Sequence, residues 1–359
     1  MNFVVVCANC QSKVTGTETD EGPQFFCPVC NAFIHGLDFS QYLKDLATGD
    51  YITRHIVAEK FAYLDPSCAH LVVEPLTKAL QDPSYLVRSS AAYSLCRLQP
   101  DEKGPMRMLV EYAAAPEPEI RQVCSRLLGD LKTHDPTAVR VLMDNLANDP
   151  EPEVRKQSAF SLGQMVPASA PAIPVLTKAL KDSNSEVQME AAISLTYFGP
   201  LAKAAIFGLQ ECINAQINNP FHDLRRQAVH ALGDIGPDSF AFLLKLLKDH
   251  DDDVRYEAAH GLSKMGSNVL PGLEKLVQGL QDEHAGIVRE CMQCLANVGT
   301  PAAKAAAEIE KAMKRFPDNA SAQEVGNEAL TKIAGAHRYK KRRRSYPAHQ
   351  VQASLTRRK

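Results

Sequence analysis

The sequence predicts an all-α chain, a right-handed α-solenoid of about nine helical-hairpin repeats, with a small β module ahead of it. Three observations carry that prediction. A phrase typified by Asp249-His250-Asp251-Asp252-Asp253-Val254-Arg255, followed by Ala258, Ala259, Leu262 and Met265, recurs every 30–37 residues. A second apolar helix precedes each copy. Four cysteines crowd into the first thirty residues, while the others are scattered.

The Arg255 slot is filled in turn by Arg54, Arg88, Arg121, Arg155, Gln188, Arg225, Arg255, Val288 and Gln323; Arg289 stands one place late in the eighth copy. Asp stands six residues earlier at Asp82, Asp149, Asp182, Asp249 and Asp282. Seven residues later come Phe61, Leu95, Leu128, Leu162, Leu195, Leu232, Leu262, Leu295 and Leu330. Positions three, four, seven and ten after the slot draw one stripe along a helix. A hairpin of this size cannot bury its apolar face alone, so neighbours must stack into a continuous core. Small residues at the third and fourth places, such as Ala91-Ala92 and Ala191-Ala192, let paired helices approach closely. The Asp and Arg slots are expected to form a ladder in which the Asp caps the second helix and accepts from a neighbouring Arg. Gly199, Gly236, Gly266 and Gly299 end helices where a left-handed cap suits Gly.

The phrase Asp-x-x-x-x-Val-Arg-x-x-Ala-Ala-x-x-Leu-x-x-hydrophobic-Gly resembles the short HEAT-type repeat named after phycobilisome lyases. The resemblance covers roughly residues 40 to 334. It implies an α-solenoid that binds other molecules, with the second helix of each repeat lining the concave side. It implies no single activity.

Residues 1–38 are expected to form a zinc ribbon. Cys7-x-x-Cys10 and Cys27-x-x-Cys30 each follow a short apolar stretch, with sixteen residues between the pairs. Four thiolates at that spacing suit one tetrahedral, structural Zn²⁺. So short a segment has little core, and metal supplies the missing stability. Residues 39–334 are the repeat solenoid, and residues 335–359 a disordered basic tail. The net charge of −2 divides into +9 for residues 337–359 and −11 for the rest. Lys340, Lys341, Arg342, Arg343 and Arg344 are the candidate contacts to nucleic acid or another polyanion.

No apolar run is long enough to span a bilayer, and the scattered cysteines point to a reducing compartment. A cytoplasmic location is expected, or nuclear in a eukaryotic host. Cys291 and Cys294 sit in a helix and are expected in the core. The first, fifth and ninth places after the slot share one helix face. That face offers Tyr93, Arg97, Arg126, Phe160, Tyr197, His230 and His260 to a protein partner, with the two histidines stacked in adjacent repeats. No phosphate loop, nucleophile elbow or paired-carboxylate motif is present. The chain is therefore expected to be a non-enzymatic scaffold or adaptor; the alternatives are a nucleic-acid-associated protein using ribbon and tail, and a phycobilin-lyase-like tetrapyrrole protein.

Overall fold

The computed structural model describes residues 41–64, 69–216 and 223–335 in full. It describes the backbone alone at residues 2–6, 13–17, 24–26, 33–35, 39–40 and 336–345. Near the amino terminus, β1 (Asn2–Val6) pairs antiparallel with β2 (Lys13–Thr17), Val6 opposite Lys13. β3 (Gln24–Phe26) pairs antiparallel with β4 (Phe33–His35), Phe26 opposite Phe33. Cys7, Cys10, Cys27 and Cys30 lie outside the described residues.

The rest is helical, and the helices form nine hairpins among the described residues. The chain divides into two units, Met1–Tyr197 and Phe198–Lys359. Unit 1 holds α1 (Phe39–Thr48) with α2 (Tyr51–Lys60), α3 (Ala69–Ala79) with α4 (Tyr85–Leu98) and α5 (Lys103–Tyr112) with α6 (Pro118–Asp130). It continues with α7 (Pro136–Asn148), α8 (Pro152–Gln164), α9 (Ile173–Ala179) and α10 (Ser185–Phe198). Unit 2 holds α11 (Ile206–Ala215) with α12 (Asp223–Ile235), α13 (Phe240–Leu246) with α14 (Asp252–Lys264) and α15 (Leu273–Gly279) with α16 (Ala285–Val298). It ends with α17 (Ala306–Arg315) and α18 (Ala320–Ser345).

Every slot residue of the sequence pattern lies in the second helix of its hairpin, so the repeat phase is as the spacing predicts. Phe61, Leu95, Leu128, Leu162, Leu195, Leu232, Leu262 and Leu295 are all buried. Each such Leu contributes about 1.5–3 kcal/mol of burial. Within each unit the second helices stack on one another: α2 on α4 and α6 on α8, then α12 on α14 and α14 on α16. Gly199, Gly236, Gly266 and Gly299 have φ of +50°, +90°, +60° and +73°. They end second helices in the left-handed region that favours Gly. Among the described residues one helical stretch, Ser185–Ala215, is long and apolar enough in composition to cross a bilayer, but it is broken at Gly199. Neither α10 nor α11 reaches the ~20 residues needed to cross a bilayer.

Two ladders tie neighbouring repeats together. In the first, Arg54 donates from Nε and Nη2 to Asp82 at 2.7 and 2.9 Å. Arg121 clamps Asp149 at 2.6 and 2.8 Å, and Arg155 clamps Asp182 at 2.8 Å twice. Arg225 holds Asp249 at 2.8 and 2.6 Å, and Arg255 holds Asp282 at 2.7 and 3.3 Å. Where the next repeat has Ala115 in place of Asp, Arg88 donates to Tyr112 Oη at 2.7 Å and lies over its ring. Nη1 of Arg54, Arg88, Arg121, Arg155 and Arg255 donates back to the turn of its own repeat, as from Arg155 to the Asp149 carbonyl at 2.8 Å. Hydrogen bonding by Arg54 holds the Asp82 carboxyl below its ordinary range. For Asp182, Asp249 and Asp282 burial pushes the carboxyl up, and the arginine and a backbone N–H outweigh it.

The expected capping role needs correction. The ladder Asp is not the cap residue. Asp82, Asp149, Asp182, Asp249 and Asp282 each accept the backbone N–H two residues on, closing a turn one step before the helix. The geometry follows from the clamp: a carboxylate turned into its own helix terminus could not also face the neighbouring guanidinium.

The second ladder has no counterpart among the expectations. Six places after the slot, Ser94, Ser161 and Ser194 donate to the carbonyls of Ala58, Ser125 and Ala159 of the preceding repeat, at 2.5, 2.8 and 2.8 Å. These hydroxyls are buried and satisfied.

α18 runs from Ala320 to Ser345 with a break at Gly335 (φ +52°). The backbone is therefore helical beyond 334, where the repeat pattern ends. Lys340, Lys341, Arg342, Arg343 and Arg344 lie on this far part, and residues 346–359 are outside the described residues.

Candidate binding faces

In unit 1 the face formed by the fifth and ninth places after the slot is mixed in exposure. Tyr197 is 54% exposed, Arg97 is exposed and Phe160 and Arg126 are half-buried. Tyr93 is a correction: at 1% exposed it is a core residue, not a surface anchor. Burial pushes its phenol up to about 12. Arg97 lies over the Tyr63 ring at 5.1 Å and the Tyr93 ring at 6.0 Å, and donates to Tyr93 Oη at 3.4 Å. The outward aromatic here is Tyr63, 54% exposed, which belongs to the same ninth place one repeat earlier. Ile52 and Ile56 of α2 extend an apolar surface, 49% and 45% exposed. Arg126 is engaged: Nη1 donates to Asp130 Oδ2 at 2.9 Å and lies 3.4 Å from Glu59 Oε1.

In unit 2 the two histidines meet as the slot pattern predicts. His230 and His260 stack with ring centroids 6.2 Å apart and 21° between planes, and Tyr256 stacks on His260 at 6.0 Å and 3°. Beneath them are two carboxylates that the pattern did not single out, from the second place after the slot. His230 Nδ1 donates to Glu257 Oε2 at 2.8 Å, and His260 Nδ1 lies 3.5 Å from Glu290 Oε1. Glu257 also faces Arg226 at 3.4 Å, and Glu290 pairs with Arg289. Asp234 lies 3.4 Å from His230 Nε2 and accepts from Lys264 at 2.7 Å. Burial pushes the carboxyls of Glu257 and Glu290 up, yet the imidazole hydrogen bonds and nearby cations hold both below their ordinary range. The Glu257 hydrogen bond holds His230 above the ordinary imidazole range against burial. Among the described residues no group of three or more His, Cys, Asp or Glu is placed to hold a metal ion.

A raised imidazole pKa stabilises the fold fully below its unfolded value, about 6.5, and that contribution is lost as pH rises through the folded value. Unit 2 should therefore melt lower at pH 8.5 than at pH 6. His230→Gln should flatten that slope, read from circular dichroism melts across pH; an unchanged slope in the variant would rule His230 out as its source.

The cysteines of the helical hairpins behave as core atoms. Cys291 and Cys294 are fully buried. Burial pushes the thiols of Cys96, Cys124 and Cys291 up to about 12 and that of Cys212 to about 11. Thiols so protonated are poor nucleophiles at neutral pH.

Stacked helical hairpins, Arg–Asp clamps between repeats and an open second-helix face define an α-solenoid repeat protein. The HEAT-repeat family model matches residues 73–163, 139–216 and 209–296, and the chain belongs to that family. No curated protein sequence matches significantly. Among solved structures, an engineered protein from the Northeast Structural Genomics Consortium is 22% identical, with a TM-score of 0.54 over 83% of this chain and 89% of its own. Kap95p, in a structure describing its binding to RanGDP, is 15% identical with a TM-score of 0.56, over 83% of this chain and 45% of its own. Both likenesses show the fold alone. The CpcE–CpcF complex of phycocyanin lyase from Nostoc sp. matches at 20% identity and a TM-score of 0.39, over 63% of this chain and 94% of its own, too distant to bear on activity.

Proposed function

We propose that this chain is a protein-binding scaffold whose partner lies along the second-helix faces. The observation that carries the reading is the exposure of Tyr63, Arg97 and Tyr197, each at the ninth place after the slot in a repeat of unit 1, with Phe160 half-buried at the fifth place of another. Aromatic and Arg side chains of this kind are the residues that most often anchor a protein segment. HEAT-repeat membership favours the same reading. The buried, protonated thiols weigh against a covalent tetrapyrrole role for the cysteines of the helical hairpins. The test is a random-peptide display against the full chain, followed by affinity measurement on Tyr63→Ala, Arg97→Ala and Tyr197→Ala together. Loss of two hot-spot contacts or more costs about 2 kcal/mol or above, roughly thirtyfold in Kd. These side chains are exposed, so the melting temperature should hold. Unchanged affinity in the triple variant would move the site off this face.

The amino-terminal segment is read as a structural zinc module held by Cys7, Cys10, Cys27 and Cys30. What supports this is the spacing of the two Cys-x-x-Cys pairs, each falling in sequence between two strands that pair antiparallel. Freshly purified, reduced protein should contain one Zn²⁺ by elemental analysis. Chelation should raise hydrogen exchange in residues 1–38 and leave the helical hairpins protected. Protein without bound zinc would end the proposal.

A further inference from the structure

The unit 2 face sorts its charges by depth. Glu257 and Glu290 form a floor, with side chains 9% and 5% exposed. Above them stand Arg226 (43%), Lys264 (39%), Arg289 (34%), His260 (32%) and His230 (31%). The other acids facing this group are Asp234, on His230 and Lys264, and Asp223, whose Oδ1 is 3.9 Å from Arg226 Nη2. Three permanent cations and two imidazoles thus face four carboxylates, so the sum is −1 with both imidazoles neutral and +1 with both charged.

We infer that this face binds a carboxylate-rich peptide segment of a partner protein, and that it does so more tightly when His230 carries a proton. This rests on the scaffold reading and names the partner chemistry for unit 2. Glu257 holds Nδ1 of His230, whose Nε2 lies 3.4 Å from Asp234, and Glu290 lies 3.5 Å from Nδ1 of His260. A neutral ring adds no charge to the face, and a charged ring adds one, which takes the sum from −1 towards +1. Arg226, Lys264 and Arg289 add charge-assisted donors at the rim. A basic segment would meet those same cations and be disfavoured. Outside the tail the chain carries −11. That charge repels a long polyanion, so a short acidic segment fits better than nucleic acid.

The experiment uses the full chain with Lys340, Lys341, Arg342, Arg343 and Arg344 each replaced by Gln, so that the tail cannot supply the signal. Fluorescence anisotropy is read with labelled deca-glutamate, deca-lysine and single-stranded DNA at low salt, at pH 6.0 and 8.0. Deca-glutamate should bind at pH 6.0 and about tenfold more weakly at pH 8.0. The double variant His230→Gln, His260→Gln should bind weakly at both pH values. Arg226→Gln with Lys264→Gln should bind weakly at both while melting like the parent, which separates a lost contact from a lost fold. No binding at pH 6.0, equal binding at both pH values, retention in the rim variant, or tighter binding of DNA than of peptide would each overturn the inference. If deca-glutamate fails while the Tyr63, Arg97 and Tyr197 face still holds its selected peptide, only this inference falls. If peptides of every composition fail, the scaffold reading falls with it.

Discussion

Arg225→Ala should destabilise unit 2 by about 3–5 kcal/mol, the range for removing one partner of a buried ion pair. The Arg225 side chain is 1% exposed, and its two terminal nitrogens hold both oxygens of Asp249, which is 9% exposed. Nε donates to the Ile213 carbonyl at 3.2 Å, so the same side chain also ties α12 to α11. Without the guanidinium, Asp249 keeps only the Asp251 N–H and the exposed His250 imidazole, 3.2 Å from Oδ1, to offset its burial. The equivalent change at Arg54 should cost less, because that side chain is 17% exposed and water reaches the vacated carboxylate. The two-unit organisation makes a single unfolding midpoint a poor measure, so the readout is hydrogen exchange resolved by peptide over residues 223–264. A double change, Arg225→Met with Asp249→Leu, removes both charges and should recover most of the loss. A single variant losing under about 1 kcal/mol, or a double variant as weak as the single, would show that the pair carries no such weight.

The repeat phase, the Arg–Asp partners and the Gly turns were all legible because each rests on one residue type at one fixed place. Arg225 and Asp249 are 24 residues apart, and only the recurrence of both slots points to their meeting. What the pattern could not show is depth within a face. Tyr93 occupies the same place as Phe160 and His230, yet it is buried while they are not. Its environment is set by Tyr63 and Arg97 from two different repeats, which no single-repeat spacing encodes. The carboxylate floor under the histidines was missed for a related reason. Glu257 and Glu290 stand at a place filled elsewhere by Ile56, Ser90, Val123, Gln157, Glu190, Gln227 and Val325. Their role appears only when the fifth place of one repeat is set against the second place of the next. The eighth copy shows a third kind of substitution. Val288 replaces the slot arginine, and Arg315 from the neighbouring first helix reaches the Leu280 and Asp282 carbonyls instead, at 2.9 and 2.5 Å. A chain can thus keep a clamp while moving its donor to another helix.

The Gly residues at the helix crossings yield a test in which one substitution takes opposite signs. A Cβ placed on Gly261 would lie 2.7 Å from the Gly233 Cα and 3.3 Å from Leu243 Cδ1; one placed on Gly233 would lie 2.7 Å from the Gly261 Cα. The obstacle is backbone, so α12 and α14 must separate to admit even a methyl group. Overpacking of this kind costs about 1–3 kcal/mol, and Ala recovers up to about 1 kcal/mol of helix propensity over Gly. Gly261→Ala should therefore be a net loss, and Gly261→Val, which adds two further methyl groups and a β-branch, a much larger one. Gly104 is exposed in α5 with nothing within 4 Å of the added Cβ, so Gly104→Ala should be neutral or gain up to about 1 kcal/mol. The three variants need only equilibrium denaturation of the full chain, with exchange protection of residues 223–264 to assign the loss to unit 2. A Gly261→Ala variant as stable as Gly104→Ala would mean that α12 and α14 do not cross at backbone contact.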